Sequence, residues 1–265
     1  MTLTVETEVR YLNDEWRHRS GLPSIGDRES RRANTSKHSV FVRDARTKRD
    51  ALSLDVNGFV LVDHAPTVMD FSDENAVKSS YYSEIEQLTR DVSGADEVFI
   101  TNHLVRTEDK SNFNNAYARF LHCDYSLEDP RSASLKSLAS RNLKRADYET
   151  ANFAWYNSWQ PFDHEARANP LAVIDATTLA DKDIVDYYYT GNNASNRSSM
   201  PLFNPHHELW YFDRMRTDEV LFIKQLDTRE GHAQACPHTS FDDPSVPENA
   251  PPRRSIEVRM LAVFR

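Results

Sequence analysis

Glu219-Val-Leu-Phe-Ile-Lys-Gln-Leu226, Ala235-Cys-Pro-His-Thr-Ser-Phe241 and Ser255-Ile-Glu-Val-Arg-Met-Leu-Ala-Val-Phe264 read as three consecutive strands near the end of the chain. Each is short, rich in β-branched and aromatic residues, and bounded by Pro, Asp or Gly. The last one alternates: Ile256, Val258 and Met260 fall on one face, while Ser255, Glu257 and Arg259 fall on the other, with Arg253 of the same parity. A strand with one apolar face and one face of hydroxyl, carboxylate and guanidinium groups has an inner surface suited to chemistry.

Working back, the same texture recurs at Phe153–Trp159, Leu171–Ala176 and Leu209–Phe212. Half a dozen short strands with Pro and Asp turns and no βαβ rhythm predict an antiparallel sandwich or jelly roll, mainly β with flanking helices. Further upstream, His38–Arg43, Gly58–Asp63 and Glu97–Val105 read as strands. Val77, Tyr81, Ile85, Leu88 and Val92 mark one face of a helix, with Gly94 suited to the left-handed position after its end. Ser132–Ala146 reads as a short helix, either a lid over a site or a solvated element; Asp181–Tyr189 reads as another helix and Thr190–Asn204 as a loop. The domain expectation is an N-terminal arm over residues 1–37 and one domain over 38–265, its helical and strand part at 38–115 and its core at 116–265. The Arg28, Arg31 and Arg32 cluster in the arm reads as a solvated face.

Composition narrows the function. With 32 Lys+Arg against 41 Asp+Glu the formal charge is −9, which disfavours a nucleic-acid partner. Two cysteines make neither a disulfide framework nor a four-thiolate zinc site, and 6 glycines form no phosphate-binding G-x-G-x-x-G loop. The longest apolar runs are far too short to span a bilayer, and Met1–Gly21 holds no signal-like apolar stretch. The expectation is a cytoplasmic protein with free thiols and a small-molecule substrate, no membrane and no nucleic acid, as a homodimer or with a partner subunit.

Histidine and aspartate remain as the carriers of chemistry. His122-Cys-Asp124 places two donors at i and i+2, on one side of a strand, with Cys123 turned away. A histidine from a distant strand completes a two-His-one-carboxylate facial triad, which leaves three positions free on Fe(II) for a chelating co-substrate and dioxygen. His238, on the next-to-last strand, is the favoured third ligand over His232. A chelating dicarboxylate such as 2-oxoglutarate needs a cation at its far end; Arg253 with Ser255 is favoured over Arg259 on the last strand.

Five segments resemble the fungal and bacterial group typified by gibberellin desaturase and the CmcJ-type and AsaB-like hydroxylase/desaturases. They are Asp44-Ala-Arg46 with Leu52–Phe59; Tyr81-Tyr82 with Glu84; Trp159-Gln-Pro161; Pro205–Phe212; and Phe222–Asp227 followed by His238–Pro244 and Arg253–Arg259. The resemblance covers roughly residues 38 to 265 in the same order. It implies a double-stranded β-helix (jelly roll, cupin-like) and an Fe(II)- and 2-oxoglutarate-dependent dioxygenase of secondary metabolism that hydroxylates, desaturates or oxidatively cyclises a small molecule, using O2, with ascorbate as a stimulant. His122, Asp124 and His238 match the iron ligands. This chain departs from the pattern at His206-His207-Glu208, where a single His followed by Arg-Trp is expected.

Other candidates carry two readings. Trp159, His207 and Lys224 are candidate substrate contacts; packing for the first two and an ion pair with Asp227 for Lys224 are the plainer ones. Trp155, Tyr156 and Trp210 line either a pocket or the core, and His64 and His103 read as structural. The different-class alternatives are a cupin-type isomerase or hydrolase using the same ligands, and a non-catalytic partner subunit of a modifying complex.

Overall fold

The computed structural model describes residues 3–107, 118–191 and 194–265, with the side chains of 190–196 set aside. Its strands are β1 (Thr4–Leu12), β2 (Thr35–Asp44), β3 (Phe59–Asp63), β4 (Glu97–Arg106), β5 (Asn152–Pro161), β6 (Leu171–Ile174), β7 (Ile184–Gly191), β8 (Ala194–Pro201), β9 (Leu209–Tyr211), β10 (Glu219–Asp227), β11 (His238–Ser240) and β12 (Ser255–Phe264). Two five-stranded sheets form, in the orders β3-β10-β5-β12-β4 and β1-β2-β9-β6-β11, with a β7-β8 hairpin beside them. The first sheet is antiparallel throughout; in the second, β2 and β9 run parallel. The result is the expected β-rich jelly roll.

β5 and β10 are buried along almost their whole length because both faces of their sheet are covered. On the inner face, Phe59, Leu61, Trp159, Leu221 and Ile223 pack against Val173, Trp210 and Cys236 of the opposite layer. On the outer face, Ile256, Val258, Met260, Tyr156 and Phe222 meet Val77, Tyr81 and Ile85. Those three sit on the predicted helix, which is α2 (Glu74–Ala76), a π turn (Val77–Tyr81) and α3 (Tyr82–Ser93) in succession. Asp73 caps its start, accepting from the backbone N–H groups of Asn75 and Ala76, and Gly94 ends it at φ +70°. The helix is pinned by polar bonds as well: Gln160, fully buried on β5, accepts from Tyr81 Oη at 2.7 Å, and His64 bridges Gln160 and Glu84 at 3.0 and 3.1 Å.

Several local expectations change. Residues 4–12 are a strand paired along β2, so the boundary expected at 37/38 falls inside β2. The basic segment around Arg28, Arg31 and Arg32 forms α1 (Arg28–Asn34), opened by a capping box between Asp27 and Ser30. Asp181–Tyr189 is not a helix: after one turn at Asp181–Asp183 it becomes β7, in keeping with the β-branched and aromatic run Ile184, Val185, Tyr187, Tyr188 and Tyr189. Thr190–Asn204, read as a loop, contains β8, a Ser- and Asn-rich strand with no alternation to announce it, held by its partner β7. The helix expected at Ser132–Ala146 is α4 (Pro130–Ala139) with a separate turn at Arg145–Tyr148. Leu135 and Leu138 of α4 pack on Phe153, Trp155, Leu226 and Leu261, and Trp155 Nε1 donates to Ser134 Oγ at 2.9 Å. It closes one end of the inner face rather than lying in solvent.

Candidate metal centre

A short extended segment, Phe120–Tyr125, lies between β11 and β8. His122 bridges to His238 on one side and Cys123 to Ser199 on the other. His122 and His238 exchange both backbone hydrogen bonds, at 3.1 and 3.0 Å, so they are direct cross-strand neighbours with ring centroids 4.5 Å apart. Two positions on, Asp124 projects to the same side as His122, with Oδ1 3.7 Å from His122 Nε2. One donor atom from each of His122, Asp124 and His238 lies within 4.8 Å of the others. This is the triad that the i, i+2 spacing and the distant histidine predicted.

Two of the three donors, His122 and Asp124, are fixed from behind. His122 Nδ1 pairs with the Phe120 carbonyl at 2.9 Å, which turns Nε2 toward Asp124. Asp124 accepts from Asn157 Nδ2 at 2.6 Å and Arg259 Nη2 at 3.0 Å, and its backbone N–H donates to Gln225 Oε1 at 3.0 Å. Burial alone would raise the Asp124 carboxyl, but the Arg259 guanidinium, with His238 and His122, outweighs it and holds the group ionised well below the usual carboxylate range. Burial, reinforced by the neighbouring His122, pushes the His238 imidazole down to about 4, so its ring is neutral near pH 7 and able to ligate. The buried Nδ1 of His238 has no hydrogen-bond partner among the described residues. Two imidazoles and one carboxylate on one side of a jelly-roll layer fit a divalent transition metal such as Fe(II). Cys123, fully buried with its thiol pushed up by burial, faces away as its parity requires.

A small, partly open cleft lies beside the triad, lined by Arg106, Trp159, Leu171, Ser240, Arg253 and Glu257 together with His122 and His238. Arg253 is 2% exposed; its guanidinium lies 5.2 Å from the Trp159 ring centroid and donates to the Asn169 carbonyl at 2.6 Å. Ser255, fully buried, has a hydroxyl with no partner among the described residues. Arg259 is engaged elsewhere: it donates to Asp124 and, at 2.9 Å, to Glu257 Oε1. Trp159 therefore sits in the cleft wall, whereas two other candidates do not. Lys224 is fully buried, donating to Asp55 at 3.1 Å and Asp227 at 2.6 Å. His207 lines a separate groove with Tyr11 and Phe203, its Nε2 3.5 Å from Asp183. His232 is also remote, 3.6 Å from Asp55, and Tyr156 faces away from the cleft toward α3.

Sequence reasoning passed over Asn157, Gln225 and Arg106. Asn157 left a signal: it shares a face with Phe153, Trp155 and Trp159, so it is a lone amide on an aromatic strand face. Gln225 left none, because its inward turn depends on a bulge between Lys224 and Leu226 in β10.

A two-histidine, one-carboxylate face on a jelly-roll layer, beside an arginine-floored cleft, defines a non-haem metal enzyme. Comparison with known proteins narrows the class. A family model described as "Oxidoreductase/YMDC permease-like domain" matches residues 11–264. The hydroxylase/desaturase efuI of Hormonema carpetanum is 30% identical, the match covering 98% of this chain and 95% of that protein. The Fe(II)/2-oxoglutarate-dependent dioxygenase nvfI of Aspergillus novofumigatus is 29% identical over 86% of this chain and 84% of its own. Among solved structures, the iron and alpha-ketoglutarate-dependent endoperoxidase NvfI, in a different conformation, superposes with a TM-score of 0.87 at 25% identity, covering 99% of this chain and 98% of that one. The chain belongs to this family of Fe(II)/2-oxoglutarate-dependent dioxygenases and hydroxylase/desaturases. The family's cofactors are Fe(II), 2-oxoglutarate and O2, and its reaction is oxidative, which sets aside the isomerase, hydrolase and non-catalytic readings. No helix among the described residues is long and apolar enough to cross a membrane.

Proposed function

We propose that this chain hydroxylates, desaturates or oxidatively cyclises a small molecule of secondary metabolism, with His122, Asp124 and His238 holding Fe(II) and Arg253 with Ser255 receiving the distal carboxylate of 2-oxoglutarate. The observation that carries the reading is the convergence of the three donor atoms beside a cleft whose far wall is a buried arginine. When bound, iron would activate O2, the oxidant, with 2-oxoglutarate giving up two electrons as it is decarboxylated to succinate and the substrate C–H bonds giving up the other two.

The chain's own residues do the rest. Phe120 orients the His122 ring through its carbonyl, and Asn157 and Arg259 hold Asp124 as a carboxylate. Arg253, fixed by the Asn169 carbonyl and stacked near Trp159, offers a rigid charged fork where water is excluded, which strengthens its bond to a carboxylate. Ser255 adds a hydroxyl of the same strand parity. Arg259 is a poor anchor because its donors serve Asp124 and Glu257. Trp159 and Leu171 supply the apolar wall against which a carbon skeleton packs.

The test is anaerobic addition of Fe(II) and 2-oxoglutarate to the protein. A visible charge-transfer band, followed by succinate release on admitting air, is the expected result. No band and no succinate overturns the reading.

A further inference from the structure

The two oxygens of Asp124 are treated differently. Oδ1 lies on the histidine side, 3.7 Å from His122 Nε2, and accepts from Arg259 Nη2 at 3.0 Å. Oδ2 accepts a short bond, 2.6 Å, from Asn157 Nδ2. Asn157 is 1% exposed and sits on β5 between β10 and β12, directly across from Ile223 and Arg259. An amide held there by two neighbouring strands has little freedom to let go of Oδ2. Gln225 holds the backbone of the same residue by accepting from its N–H.

We propose that Asn157 is a positioning residue that reserves Asp124 Oδ2, so that Asp124 ligates through Oδ1 alone. The consequence is a count of coordination positions. Two imidazoles and one carboxylate oxygen occupy three of the six positions of an octahedral ion, leaving three, enough for a bidentate co-substrate and dioxygen. A carboxylate free to chelate with both oxygens takes a fourth and leaves two. Asn157 thereby protects the position that the co-substrate or dioxygen needs, and acts on co-substrate binding more than on metal affinity. The inference rests on the proposed ligand set.

The experiment loads the full-length protein anaerobically with Co(II), an inert spectroscopic stand-in, and titrates it with 2-oxoglutarate while following the visible d–d bands. Three variants are compared: Asn157→Leu, which keeps the volume and loses the donor, Asn157→Ala, which loses both, and Asn157→Ser, which keeps a hydroxyl donor. Leu and Ala are expected to bind Co(II) within about threefold of the parent, to weaken 2-oxoglutarate by about tenfold or more, and to give the X-ray absorption signature of a chelating carboxylate. Ser is expected to recover part of the loss. Unchanged 2-oxoglutarate affinity in both Leu and Ala overturns the proposal, as does a fall in Co(II) affinity matching that of Asp124→Ala. Undiminished Co(II) binding in Asp124→Ala overturns the ligand set itself, and the positioning role with it, so the two failures are told apart.

Discussion

Two buried charged clusters lie on this molecule, and they differ in whether they close. Away from the metal centre, Lys224 and Arg229 face Asp55 and Asp227; Lys224 Nζ and Arg229 Nη2 each reach both carboxylates at 2.6 to 3.1 Å. Two cations meet two anions and the account balances. At the metal centre, Asp124 and Glu257 share the guanidinium of Arg259, and His122 and His238 stand beside them. The Asp124 carboxylate stands in a desolvated place next to two ring nitrogens, and a divalent cation held among the three would pair with it. The closed cluster holds the fold; the open one is built to receive something.

Breaking the open cluster at its donors gives the largest effect. His122→Ala or His238→Ala is expected to abolish the Fe(II)–2-oxoglutarate band and lower metal affinity by more than the ~10–100-fold typical of losing an outer partner, with far-UV circular dichroism unchanged; a variant that keeps the band removes that residue from the ligand set. Breaking the closed cluster should show the reverse pattern. Lys224→Met leaves Asp227 buried and under-compensated, at a cost of about 3–5 kcal/mol in unfolding free energy, read by denaturant titration, while the folded fraction binds metal normally. Loss of the band with no loss of stability would contradict the contrast.

Within the cleft, Arg253→Ala should weaken 2-oxoglutarate by about 10–150-fold, the equivalent of 1.5–3 kcal/mol for a bond to a charged group. Arg259→Ala should perturb metal binding more than co-substrate binding. An isothermal titration in which Arg259→Ala has the larger effect on 2-oxoglutarate would exchange their roles. The smallest effect concerns acid stability. Burial raises the fully buried Glu219 carboxyl, but the Arg46 guanidinium outweighs it and holds it below its usual value. A depressed carboxylate stabilises the fold above its unfolded pKa of about 4.5 and loses that contribution as pH falls below it. Glu219→Gln should therefore flatten the melting-temperature profile below about pH 4.5, and an unaltered acid limb would remove Glu219 from the account.

The same contrast explains what could be read from the sequence. The proposed ligands and anchor stand out in the sequence because strand parity is local: His122 with Asp124, and Arg253 with Ser255, declare their common face within a few residues. The core strands β5, β10 and β12 were legible by their β-branched and aromatic runs. Hidden features depend on partners. β8 carries no strand pattern of its own and is held as a strand by its pairing with β7. Gln225 reaches Asp124 through a bulge that only the β5–β10 register creates. Several segments that carried the family likeness prove structural: Asp44-Ala-Arg46 leads to the Arg46–Glu219 pair, and Tyr81, Glu84 and Gln160 form the polar pin of α3. Gly58, at φ +80°, is similar, since a Cβ there would stand 2.9 Å from Cys236 Cβ, two residues before His238.

The cross-strand pairing of His122 with His238 has a consequence for how the chain acquires its activity. These neighbours lie more than a hundred residues apart, so the loop they close carries one of the larger entropic costs in the molecule, and their meeting must await most of the barrel. The donor set cannot be assembled by a fragment or an early folding intermediate. An ion bound there bridges the first half of the chain to its penultimate strand, making metal uptake a late event that locks a completed barrel, with resistance to unfolding rising logarithmically with free metal.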